Sequence, residues 1–393
     1  MKGISRLLIG VIIVIIVIVG VVVYLVVANP QSSTTPSNPT SQTSNPVSQI
    51  SASIIAGGST FINPAMQVWT REFQSRYPGI QVTYSAVGSG TGVNNFLQGV
   101  YDIGASDVPP PSSLYQQLVQ KYGKILTIPD VVGAVDIIYN LPGFTGTLNL
   151  TADVLAKIYL GQIQYWDDPA IKALNPYYNF PHQKIIVVHR SDGSGTTYIF
   201  TYWLYISTNA WKNSGIGYGF TVNWPVDSLG NGLGGKGSDG VTAYVSQNPY
   251  SIGYVEAQYA IANNLKAASI QNPSTGEFVL PDVNSIKSAV QNANLSALPS
   301  LTQDLSNYLS VFLNVKAKDA YPIVSFSWLI VKADYPDQSK AKAIYLFLKY
   351  IVTDGQNVLP SGYIPLPSNI QQLVLDNLKQ ITYNGNPIYS QVS

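Results

Sequence analysis

The sequence predicts an α/β fold built on parallel sheet, and three observations predict it. Short apolar strands run into Gly/Ser/Thr turns at four places. Apolar residues at three- and four-residue spacing then follow most of those turns, the signature of a helix with one buried face. Each polar turn therefore stands beyond the carboxyl end of a strand, where open α/β sheets bind ligands. At 393 residues and 46% hydrophobic content, the chain can bury the cores of two domains.

In chain order, the first element is an apolar run. Lys2 and Arg6 precede 22 uncharged apolar residues, 7–28. At about 1.5 Å per residue such a helix spans roughly 33 Å, enough to cross a bilayer core. Positive charge on its amino side places that end in the cytoplasm and the remainder outside. A cleaved signal peptide has a shorter apolar region, so residues 1–28 read as a retained transmembrane anchor. Residues 29–50 are rich in Ser, Thr, Pro, Asn and Gln and read as a flexible linker. Sequons at Asn149 and Asn294 agree with an outside location.

The body begins with a strand near Ile54 to Ala56, the turn GGST, and a helix opened by Asn63 and Pro64. Ala65, Met66, Trp69 and Phe73 give that helix its buried face. Alternation through Val82, Tyr84 and Ala86 leads to GSGTG, followed by Val93, Phe96, Leu97 and Val100 at helical spacing. YDIGASD is a short strand ending at Ser106 and Asp107, halted by prolines. KIIVVHRSDGSGT is a continuous apolar strand and turn, after which Ile199, Phe200, Trp203 and Leu204 form a helix face.

Twenty-one basic and 20 acidic residues leave a net charge of +1, which offers nucleic acid no basic surface. There is no cysteine, which excludes disulfides, thiol catalysis and thiolate metal sites. Against so little charge, the turns are informative. A helix amino terminus carries unpaired N–H groups and partial positive charge, and so holds anions. Ser194, Gly195 and Thr196 suit this role, and Arg190 adds full charge with a planar fork of donors. Asp192 is placed to pair with Arg190 and orient it. Thr60 with Phe61, and Ser89 with Gly90, offer the same chemistry at two other turns. Asp107 would repel an anion that lacks a proton to donate. Phosphate keeps such a proton near neutral pH and sulfate does not, so a dry carboxylate there admits phosphate and rejects sulfate. The alternative is that Asp107 only caps a helix or turn.

GGSTF, VGSGTGV, DIGASD and RSDGSGT, in this order, resemble the phosphate-binding loops of the PstS family, the phosphate-binding receptors of ABC transporters. The resemblance continues through 157–176, GLGGKGSDGV at 232–241 and SIGYVEAQYA at 251–260, and more weakly through 355–367. It implies a two-lobe periplasmic-binding-protein-like fold of type II with a hinge. Lobe 1 would be 51–133 plus 322–393, and lobe 2 would be 134–321. It implies phosphate contacts at Thr60, Phe61, Ser89, Asp107, Arg190, Ser194, Gly195 and Thr196, with Asp192 holding the arginine. It also implies a monomer without cofactor, metal or catalytic residues, delivering inorganic phosphate to ABC permease subunits. Ser59 stands where the family often has alanine, Ser191 where alanine is common, and Gly90 where a second serine often stands. The anchor and linker resemble surface-tethered archaeal receptors rather than free periplasmic ones.

Two other functions compete. A receptor for sulfate or molybdate would use the same donors without needing Asp107. An extracellular phosphohydrolase would need a metal cluster or an activated nucleophile. The chain has only His182 and His189, and His189 ends an apolar strand, where a structural role is expected. GNGLGGKG at 230–237 nearly matches a nucleotide P-loop but has Gly237 in place of Ser or Thr, and reads as a glycine-rich surface loop.

Overall fold

The computed structural model describes residues 50–392. The expected anchor (1–28) and nearly all of the expected linker lie outside the described residues. Among the described residues no helix is long and apolar enough to cross a membrane.

The strands that precede the polar turns form where the apolar runs predict. They are β1 (Ala52–Gly58), β2 (Ile80–Ala86) and β3 (Ile103–Ser106). Next come β4 (Ile125–Asn140), β5 (Ile186–Arg190), β6 (Gly232–Gly235), β7 (Ser251–Glu256), β8 (Lys266–Ala267) and β9 (Val324–Lys332). Together they make a nine-stranded sheet in the order β2-β1-β3-β9-β4-β7-β5-β6, with β8 also paired to β4. Both wings are parallel: β2-β1-β3 on one side and β7-β5-β6 on the other. The middle is antiparallel, since β9 pairs with β3 and β4, and β4 with β7. The expectation of parallel sheet therefore holds for the strands that carry polar turns and fails at the centre. There β4 runs for 16 residues and changes partner along its length. Its residues through Ala134 pair with β9, and those from Val135 pair with β7.

The helices follow from the apolar spacing. Proline opens α1 (Asn63–Arg76), and Ala65, Met66, Trp69 and Phe73 are all buried along one face. Phe73 packs edge-on against Phe347 at 4.9 Å, and the Trp69 indole donates to Gly355 O at 2.9 Å. Those contacts bind the chain's last seventy residues to its first wing through α6 (Gln338–Val352). The second helix, α2 (Ser89–Gln98), buries Val93 and Phe96 but ends at a left-handed Gly99. Val100 thus lies past the helix and is exposed, contrary to the spacing argument. Helix α3 (Gly195–Ser207) buries Ile199, Phe200, Trp203 and Leu204. Two more helices, α4 (Gly237–Gln247) and α5 (Ala257–Ala262), cover the second wing.

The strand β4 also carries Asp136, a fully buried carboxyl whose Oδ1 has no hydrogen-bond partner among the described residues. Burial alone holds it well above the ordinary carboxylate range. An acid raised in the folded state keeps a proton that the unfolded chain has released, so its contribution to stability declines as pH rises. Asp136→Asn should therefore raise unfolding stability at alkaline pH, by about 1–3 kcal/mol, and change little in acid. Urea unfolding at both pH values measures this, and a loss at alkaline pH would show that the ionised carboxylate is needed.

Candidate anion-binding site

The turn after β1 is held by three tyrosine hydroxyls that each donate to one of its carbonyls. Tyr84 donates to Ser59 O at 2.6 Å, Tyr259 to Thr60 O at 2.7 Å and Tyr363 to Phe61 O at 2.5 Å. With those carbonyls occupied, the N–H groups of Thr60 and Phe61 have no backbone acceptor among the described residues. The Phe61 side chain is buried against Tyr363, with ring centroids 6.4 Å apart, so its amide is the part available to a ligand. Thr60 Oγ1 shares a 2.9 Å hydrogen bond with Ser238 Oγ and accepts from the Ser238 N–H at 3.3 Å.

The turn after β2 approaches the turn after β5 through bare backbone. Gly90 N–H donates to Gly193 O at 2.9 Å. Gly88 has φ of +90°, and a Cβ there would meet Gly193 O at 2.7 Å, so both conformation and space require glycine. Ser89, the first residue of α2, accepts the Asp107 N–H through its hydroxyl at 3.2 Å.

Asp107 follows β3 and is 1% exposed. It caps no helix, because the next one, Ser112–Tyr122, is preceded by Pro111. Ser59 Oγ donates to its Oδ1, and Thr196 Oγ1 donates to Oδ2 at 3.3 Å. Burial pushes the carboxyl up to about 6, against the Ser59 hydroxyl, the Arg190 charge and the Thr196 hydroxyl, which favour the ionised form.

Arg190 ends β5 with its side chain 2% exposed. Its Nε donates to Asp192 Oδ1 at 2.7 Å and its terminal nitrogen to Oδ2 at 2.5 Å, a two-pronged pair. Asp192 also accepts the Gly237 N–H at 3.0 Å. Burial opposes ionisation of Asp192, but the Arg190 guanidinium outweighs it and holds the carboxyl below its usual range. Ser194 caps α3, its hydroxyl accepting the Thr197 N–H at 3.0 Å. The N–H groups of Gly195 and Thr196 stand in the first turn, where a helix offers no internal acceptor. A Cβ at Gly195 would meet Asp107 Oδ2 at 2.7 Å and Ser89 Oγ at 2.6 Å, so only glycine permits this approach.

The structure brings Thr60, Ser89, Asp107, Arg190, Asp192, Ser194, Gly195 and Thr196 together, and places Phe61 beside them through its backbone. It adds a residue that the sequence reading missed. GLGGKGSDGV is strand β6, a tight turn and helix α4, rather than a surface loop. Its Ser238 is buried against Thr60. The signal was present, since this segment repeats the strand, glycine turn and helix layout of the others. His189 has the structural surroundings expected of it: it is buried, stacks on Trp224 at 5.2 Å and meets Asp227 at 2.7 Å. Among the described residues no group of three or more His, Asp or Glu side chains stands ready to hold a metal.

A family model described as the PBP superfamily domain matches residues 33–355. The phosphate-binding protein PstS of Methanocaldococcus jannaschii is 39% identical over 350 residues, covering 87% of this chain and 89% of its own. The phosphate-binding protein PstS of Pasteurella multocida is 36% identical over 323 residues, covering 82% and 88%. Among solved structures, a human phosphate binding apolipoprotein superposes with a TM-score of 0.63 at 20% identity, over 82% of this chain and 93% of that one. A phosphate binding protein from Stenotrophomonas maltophilia gives 0.62 at 17% identity, over 82% and 93%. At those identities the likeness speaks for the fold.

The buried ion pair yields a test by double-mutant cycle. Arg190→Ala leaves Asp192 charged without its partner and should cost about 3 kcal/mol of unfolding stability. Adding Asp192→Asn should recover much of that loss. Additive losses in chemical unfolding would mean that the two side chains are not coupled.

Proposed function

Because the chain belongs to the PstS family of phosphate-binding proteins, we propose that it binds inorganic phosphate at this site outside the cytoplasm and passes it to an ABC-type importer. The observation that carries this reading is Asp107: a buried carboxylate facing groups that otherwise attract negative charge. Such an arrangement favours an anion that donates a proton to Asp107 while its other oxygens accept. Arg190 supplies the charge, held in orientation by Asp192. Donors come from the Thr60 and Ser89 hydroxyls, the Phe61 amide, and Ser194, Gly195 and Thr196 at the amino terminus of α3. Sulfate and molybdate match those donors but bring no proton to Asp107.

In this reading residues 51–133 plus 322–393 form one lobe and 134–321 the other. The change of partner along β4 between Ala134 and Val135 supports the first boundary. The second boundary is supported by β9, which starts at Val324 and pairs with β3 and the first part of β4 rather than with any strand of the second wing. Phosphate touching both lobes would favour their closed arrangement, the form that permease subunits recognise. Residues 1–28 would anchor this monomeric receptor in the membrane and 29–50 would tether it. The support is the charge and apolar length of that segment.

Titration calorimetry of the full chain in detergent tests the function. Phosphate should bind tightly at alkaline pH, and sulfate should be weaker by about 10⁴. An acid that titrates at about 6 is ionised above that pH and protonated below it, so phosphate affinity should fall as pH drops through that value. Equal affinity for sulfate would remove the role assigned to Asp107.

A further inference from the structure

Ser59 is fully buried, and both functions of its hydroxyl are used. Its oxygen accepts the Ile62 N–H at 3.2 Å, and its proton goes to Asp107 Oδ1. The bond from Ile62 fixes the oxygen, so the proton has a set direction. On the far side of the carboxylate, Oδ2 faces the amino terminus of α3, where Thr196 donates and glycine 195 leaves room. The two oxygens of Asp107 thus have different surroundings, and Ser59 creates the difference. Alanine at this position would have no donor to offer.

Resting on the phosphate reading above, we propose that Ser59 is a positioning and specificity-determining residue. It pins one oxygen of Asp107 and keeps the carboxylate an acceptor, so that phosphate stays distinguished from sulfate in mildly acidic solution. The charged and titratable groups facing Asp107 are Arg190, Asp130, Glu256, Tyr84 and Tyr363. Burial raises the last four well above their ordinary values, which favours their neutral forms there. Arg190 is committed to Asp192 through two hydrogen bonds. Ser59 is therefore a neighbour whose removal changes Asp107 without disturbing another charge and, unlike Thr196, it is not among the proposed donors to the anion. A solely local role, in which the bond from Ile62 steadies the turn, would leave the pH profile unmoved, so that profile separates the two.

Phosphate and sulfate titrations of the full chain, with Ser59 and with Ser59→Ala, should be run from mildly alkaline to mildly acidic pH. The variant's loss of phosphate affinity should grow as pH falls, from about 3-fold at the alkaline end to about 30-fold at the acidic end, since one unit of carboxyl shift is a factor of about 10. Sulfate should begin to compete at a higher pH in the variant than in the parent. Ser59→Cys keeps a hydrogen on the same branch, in a somewhat larger side chain and as a weaker donor, and should move both profiles the same way, even if the alanine variant folds poorly. A loss that is the same at every pH would overturn the proposal and leave Ser59 with only its bond to Ile62. Failure of the parent chain itself to bind phosphate would instead overturn the functional reading, and this inference with it.

Discussion

A buried carboxylate stands among groups that attract negative charge, and the rest of the structure is arranged around that conflict. Isolated in a dry site, Asp107 would take up a proton, as its upward shift shows. Hydroxyl donors on each oxygen and the positive charge of Arg190 pull the other way. The balance leaves a group that can change protonation near neutral pH in a site otherwise built from permanent donors. In the function proposed above, Arg190 and the helix ends would read oxyanion charge, and Asp107 would read the proton on the oxyanion.

Holding such a balance demands rigid surroundings. The turn after β1 is fixed by Tyr84, Tyr259 and Tyr363, which come from distant parts of the chain. Tyr254 does similar work in the second wing, accepting the Arg190 N–H at 3.1 Å and sharing a hydrogen bond with Thr197. A chain with 27 tyrosines and few charges can use phenol hydroxyls as buried connectors, since each brings a large apolar ring with its donor. The sheet supplies the larger geometry. Its parallel wings present the polar turns, and β4 joins the wings by exchanging partners midway.

The turns were legible in the sequence because their chemistry is local: an apolar strand, small residues, then a helix start. Asp107 and Arg190 stood out for the same reason, being charges in a chain that has few. The antiparallel centre was not legible, since β9 reaches β3 and β4 from nearly two hundred residues away or more. Ser238 was lost to a pattern that looked like a surface loop, although its neighbours repeat the strand and turn layout. Val100 was misplaced because Gly99 ends the helix before the apolar spacing does. The tyrosine bonds to carbonyls of the first turn depend wholly on tertiary contact, and no spacing within the chain announces them.

The most direct measurement of the central claim is the ratio of phosphate to sulfate affinity in Asp107→Asn beside the parent chain, at an alkaline pH where the carboxylate is ionised. An amide keeps the shape but can donate as well as accept, so the proton on the anion ceases to matter. The account predicts that phosphate weakens, sulfate gains, and the ratio collapses by about 10² or more. An unchanged ratio would contradict it, and would mean that phosphate is selected by some group other than Asp107.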